Sequence, residues 1–228
     1  MSNYCINNNK RMKNHSVIFI DTPRYERLEK PGSENFLKKA LVYFSITPSD
    51  LPKRIYSSFI PPIFNVEFRK VYVDFVGPLL AVSILTLILQ WGHSNKHPAA
   101  AIDTSPVLVI AYYSLFMPVL CFLLAKIGQS NLDAAQIISL LGYALYGHVF
   151  TLATCYLFDR ETSNYIFFAV MTIFSGASGF RIIIILLMTI PKPAARLIVC
   201  SLVSILHLLF LVFIHFAYMH QTFVYGGN

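Results

Sequence analysis

Charge is scarce in this sequence. Asp, Glu, Lys and Arg make up 13% of its 228 residues, against roughly a quarter in an average soluble chain. The charge is also unevenly placed, with 12 of the 18 Lys and Arg lying before Asp74. Cysteine is sparse: Cys5, Cys121, Cys155 and Cys200, with no C-x-x-C. This excludes a disulfide framework. The four are read as structural or inert, with Cys200, near a membrane face, the one candidate for palmitoylation. Enzyme signatures are missing too. There is no Gly-x-Ser-x-Gly, no His-Glu-x-x-His, no phosphate-binding loop and no pair of aspartates inside an apolar run. Catalysis needs a positioned acid, base or nucleophile, so no enzymatic activity is expected, and no cofactor or metal.

Long apolar runs stand in place of these features. The chain is 56% hydrophobic, with a mean hydropathy of +0.59. A hydrocarbon core of about 30 Å is crossed by a helix of about 20 apolar residues. Five stretches suit that length: 75–91, 107–125, 137–158, 165–190 and 197–218. The period-two alternation of membrane barrel strands is missing. The expected fold is an all-α membrane protein, a bundle of five transmembrane helices. A cytosolic N-terminal tail over 1–73 precedes it, and a short lumenal tail over 219–228 follows. "VIFI" at 17–20 is too short for a signal-peptide core, so the first span is expected to act as the targeting signal.

The basic residues set the orientation. With the N-terminus in the cytosol and five crossings, 15 Lys and Arg fall on the cytosolic side and two on the other. That is a strong positive-inside bias. The sequon at Asn14 then never meets the glycosylation machinery and is read as a chance match.

Residues 1–35 are polar and mixed in charge, and loose structure is expected there. Further on, "TPSDLPKRIYSSFIPPI" predicts a short amphipathic helix near 48–59. Thr47 suits its cap and Pro48 its first turn. Leu51, Ile55 and Phe59 share one face. Lys53 and Arg54 are assigned to the other, and the prolines after Ile60 stop the helix. Such a helix either lies on the anionic leaflet or docks a protein partner. No nucleic-acid motif accompanies the basic charge.

Arg181 interrupts the fourth run, "SGASGFRIIIILLMTI". It lies nine residues before Ile190, about 13 Å along a helix. No acidic residue inside a run can pair with it, which leaves backbone carbonyls or Tyr143 as acceptors. It is either a depth marker reaching for a membrane face or a polar contact between helices or with a lipid headgroup. Gly176 and Gly179 just before it predict close helix packing. His148, His207 and His215 are read as hydrogen-bonding between helices. A metal site or a proton relay is the sharper alternative.

Three stretches carry a resemblance: "VDFVGPLLAVSILTLILQWGHSNK", "LLGYALYGHVF" and "LLFLVFIHFAYMH". Together they resemble the Yip-domain (Ypt-interacting protein) family of five-span proteins of the early secretory pathway, most closely its third-member type, a Golgi protein. The resemblance covers roughly residues 41–220. Asp74, Gly77 and Pro78 match the family's acidic-Leu-Tyr-Gly-Pro motif, with Phe75 and Val76 replacing Leu-Tyr. Gly142 and Tyr143 match its Gly-Tyr motif. By themselves, Asp74, Gly77 and Pro78 suit helix initiation; a partner-binding role for the motif residues is what the resemblance implies. It also implies a location in Golgi or ER–Golgi membranes and a role in Golgi organisation or vesicle transport. The implied partners are other Yip-family members and Rab-type GTPases. The competing expectation is a small transporter or channel using Arg181 and the three histidines.

Overall fold

The computed structural model describes residues 20–21, 43–63, 71–96, 102–158 and 164–220. The Asn14 sequon, Cys5, Arg160, the end of the chain after His220 and most of the expected loose tail lie outside them. The exception in that tail is strand β1 (Ile20–Asp21). A short helix α1 (Leu51–Phe59) follows, then strand β2 (Val71–Tyr72). The two strands pair in parallel, Ile20 with Val71 and Asp21 with Tyr72. This part of the tail therefore runs beside the start of the first span.

Five helices are long and apolar enough to cross a membrane. They are α2 (Val76–Asn95), α3 (Pro106–Ile127), α4 (Ala134–Phe158), α5 (Asn164–Thr189) and α6 (Pro193–Ile214). A π-helical turn, His215–Met219, prolongs α6. Prolines mark several boundaries. Pro106 and Pro193 open α3 and α6, where a missing N–H costs no helix bond. Ile190 precedes Pro191 and Ile60 precedes Pro61, and a residue before proline is pushed out of the helical region. So α5 ends at Thr189 and α1 at Phe59. The expected start of α1 at Pro48 is corrected to Leu51. The Asp50 N–H bonds the Thr47 carbonyl at 2.9 Å, so Thr-Pro-Ser-Asp forms a turn with proline in a favoured turn position.

Helix α4 is the axis of the bundle, buried without interruption from Ser139 to Val149. Its small residues allow this enclosure. A Cβ added at Gly147 would lie 2.3 Å from the Ser178 hydroxyl and 3.0 Å from the Ser175 Cα, so α4 and α5 meet at nearly backbone distance. The expectation for Gly176 and Gly179 is corrected by the same geometry. A Cβ at Gly176 meets only the Met171 carbonyl at 3.8 Å, and one at Gly179 only His207 at 3.7 Å. Both have room. The close approach instead uses Gly147 against Ser175 and Ser178, because these three face the seam. The outward faces of α2, α3 and α6 are apolar, with Leu87, Leu115 and Leu197 among their exposed side chains, as a hydrocarbon surrounding requires.

Candidate functional site

The motif residues, far apart in sequence, converge at one end of the bundle. Asp74 lies just before α2 and is buried. One of its carboxylate oxygens, Oδ1, accepts the Gly77 backbone N–H at 3.1 Å, which satisfies an orphan donor of the first turn. The Tyr143 hydroxyl donates to the same carboxylate, 3.0 Å from Oδ1 and 2.9 Å from Oδ2. Arg54 of α1 completes the group, its Nη1 2.6 Å from Asp74 Oδ2. The Arg54 guanidinium also lies 4.7 Å over the Tyr72 ring. Nearby, the Tyr146 hydroxyl donates to the Gly77 carbonyl at 3.1 Å. A carboxylate taken out of water needs this much compensation.

The motif glycines follow from the same packing. A Cβ on Gly77 would lie 2.3 Å from the Tyr143 ring, and one on Gly142 would lie 2.4 Å from Pro78. Gly-Pro in α2 and Gly-Tyr in α4 are thus the two halves of one contact: each glycine makes room for the other motif's ring.

Arg181 serves a second contact at this end. Its side chain is buried in α5, and Nη1 donates to the carbonyls of Ser57 and Ile60, the latter at 3.1 Å. These carbonyls belong to the end of α1, where the last acceptors lack the usual helix partner four residues on and the negative end of the helix dipole favours a cation. Tyr143, considered above as an acceptor for Arg181, is committed to Asp74. Phe59 seals the junction, its ring 5.5 Å from Phe150 and 6.2 Å from Phe174.

These contacts revise the reading of α1. Leu51, Ile55 and Phe59 pack against the bundle's own core, so the apolar face is already covered. Lys53 points outward with its side chain 80% exposed, whereas that of Arg54 is 20% exposed. Assigning both to the outer face is therefore corrected for Arg54. The signal was present at about 100° per residue: Lys53 lies about 160° from the centre of the apolar stripe and Arg54 only about 100°.

His148 and His207 bond across helices as expected, whereas the Nδ1 of His215 is buried without a hydrogen-bond partner among the described residues. The Tyr113 hydroxyl is 2.8 Å from His207 Nδ1, His148 Nε2 is 3.1 Å from the His207 carbonyl, and His148 Nδ1 is 3.3 Å from the Ser175 hydroxyl. His215 stacks on Phe167 with centroids 3.8 Å apart. No group of three His, Cys, Asp or Glu among the described residues is placed to hold a metal. Cys200, considered above for lipidation, is buried.

The opposite end of the bundle has a cation contact that the sequence reading missed. Lys96 Nζ donates to the carbonyls of Phe216 and Ala217, at 3.1 and 2.8 Å, in the π-helical turn. Lys96 and Arg181 thus serve the same purpose at opposite ends.

Comparison with known proteins agrees with the motif geometry. No solved structure matches the chain. Residues 48–219, from the turn before α1 through the π-helical turn, match the family described as the YIPF3 C-terminal domain. With Asp-x-x-Gly-Pro and Gly-Tyr locked together inside that range, this multi-pass membrane protein belongs to the Yip family.

Proposed function

We propose that this chain is a non-enzymatic scaffold of Golgi or ER–Golgi membranes. It helps organise the Golgi or vesicle-mediated transport by binding another Yip-family member and Rab-type GTPases. The observation that carries the reading is the closed state of the motif cluster. The Asp74 carboxylate is taken up by Arg54, Tyr143 and Gly77, so it holds the fold rather than waiting for a substrate. Lys53 and Tyr56 of α1 face outward and offer a partner a rigidly held surface. In the proposed topology α1 faces the cytosol and the C-terminus the lumen, as the positive-inside bias favours.

The test is purification from membranes in mild detergent, with native mass and co-purifying proteins identified. Recovery with a second Yip-family member at fixed stoichiometry supports the scaffold; a lone monomer or homo-oligomer removes it.

One observation favours the transporter reading: Tyr113, His207, His148, Ser175 and Thr151 form a bonded polar run across four helices. Against it, these groups bond one another inside packed helices, and the cavity between α2, α3 and α4 is lined by no histidine. Flux through reconstituted vesicles that is lost in His148→Leu would revive it.

A further inference from the structure

A cavity of about 300 Å³ lies between α2, α3 and α4, at the small end of the range for ligand pockets, about 300–1,000 Å³. Its walls are almost wholly apolar and include Pro78, Val82, Met117, Pro118, Leu141 and Leu145. The motif supplies one wall, since Pro78 and Gly142 both line it. Pro118 cuts into the opposite wall; having no N–H, it leaves the Ser114 carbonyl without its helix bond. The Ser114 hydroxyl beside it is buried with no partner. Leu79 and Phe44, 53% and 47% exposed, stand where the cavity meets the surface.

Packed interiors hold few voids larger than a water molecule, and apolar walls do not retain water. The cavity's walls run from Phe75, at the start of α2, to Val82 and from Ile138 to Leu145 on α4, seven residues or about 10 Å along either helix. That is about a third of a hydrocarbon core of roughly 30 Å, so the slot lies within the depth of one leaflet and is long enough for a stretch of one acyl chain. We infer that this slot binds a single hydrocarbon chain of a membrane lipid from the leaflet on the α1 side. A bound chain would lie against Pro78 and Gly142, so the motif contact that anchors α1 also forms the lipid's wall. A transmembrane helix of a second copy is too wide for a slot of this volume, since a helix with side chains is about 10–12 Å across.

The test uses full-length protein in bilayers containing a phosphatidylcholine with a photoreactive diazirine in one chain. Labelled residues are mapped by mass spectrometry. Label concentrates on Met117, Leu141 and Leu145 as well as on the lipid-facing Leu115 and Phe116. Val82→Phe, which fills the slot, lowers label at Met117 and Leu141 by about tenfold or more, the scale of an overpacked site. Label at Leu115 and Phe116 stays unchanged and reports an intact bundle. Ser114→Leu gives the same pattern with a smaller intrusion. Equal label at the slot in parent and variants overturns the inference. So does a slot that takes no lipid label in the parent but cross-links to a second copy or to another protein.

Discussion

Arg181 holds the end of a helix that lies more than 120 residues earlier in the chain, through the carbonyls of Ser57 and Ile60. The arginine sits in a membrane-spanning helix and its acceptors lie in the short helix before the first span. This bond, with Arg54–Asp74, fastens α1 to the bundle.

Removing the arginine should therefore release α1 while leaving the spans in place. Hydrogen bonds from a charged donor contribute about 1.5–3 kcal/mol. In a Cys5→Ser background carrying Ser58→Cys, the new thiol, at a position now 4% exposed, should resist a water-soluble maleimide. Adding Arg181→Leu should expose it, and Arg181→Lys should do so only partly. Continued protection in Arg181→Leu would show that α1 is held by other contacts. The same variant should lose or alter partner assembly if the docked α1 is the surface partners use.

Asp74 and Arg54 should behave as a coupled pair. Taking away one member of a buried pair costs about 3–5 kcal/mol, because the other is left uncompensated. The exposed fraction of the Arg54 side chain places Asp74→Asn toward the lower end of that range. In a thermal-unfolding double-mutant cycle, Asp74→Asn with Arg54→Met should be less damaging than the two single effects added. Strict additivity would mean that the ion pair contributes nothing of its own.

The glycines divide into two groups. Gly77→Ala and Gly142→Ala should each destabilise by about 1–3 kcal/mol, the usual cost of overpacking, because each added methyl meets a ring. Gly147→Ala should do the same against Ser178. Gly176→Ala makes only an ordinary contact and should gain up to about 1 kcal/mol from helix propensity. Unfolding in detergent monitored by circular dichroism separates the two; a harmless Gly77→Ala would refute the motif contact.

Topology is tested with engineered sequons. One placed after Tyr218 should be glycosylated in cells, and one in the loop 191–196 should not. The opposite result would invert the proposed orientation and put α1 in the lumen.

Much of this protein is determined locally. The apolar runs produce the five spans, since a helix in hydrocarbon satisfies its own backbone. Prolines set the starts of α3 and α6 and the end of α5 within a residue or two. The spacing of Leu51, Ile55 and Phe59 marks the apolar face of α1. These features depend on residues within a turn or two of one another, so they can be read along the chain.

Partnership could not be read that way. Nothing near Arg181 in sequence names Ser57 and Ile60, and nothing near Asp74 names Arg54 and Tyr143. Gly176 and Gly179 look like the packing glycines, yet Gly147 is the one pressed against α5. Which small residue matters depends on how two helices are rotated about their axes, and that rotation is set by all the side chains along the seam. Tertiary structure alone decided that the two family motifs are one contact, that α1 belongs to the bundle, and that an apolar slot lies beside them.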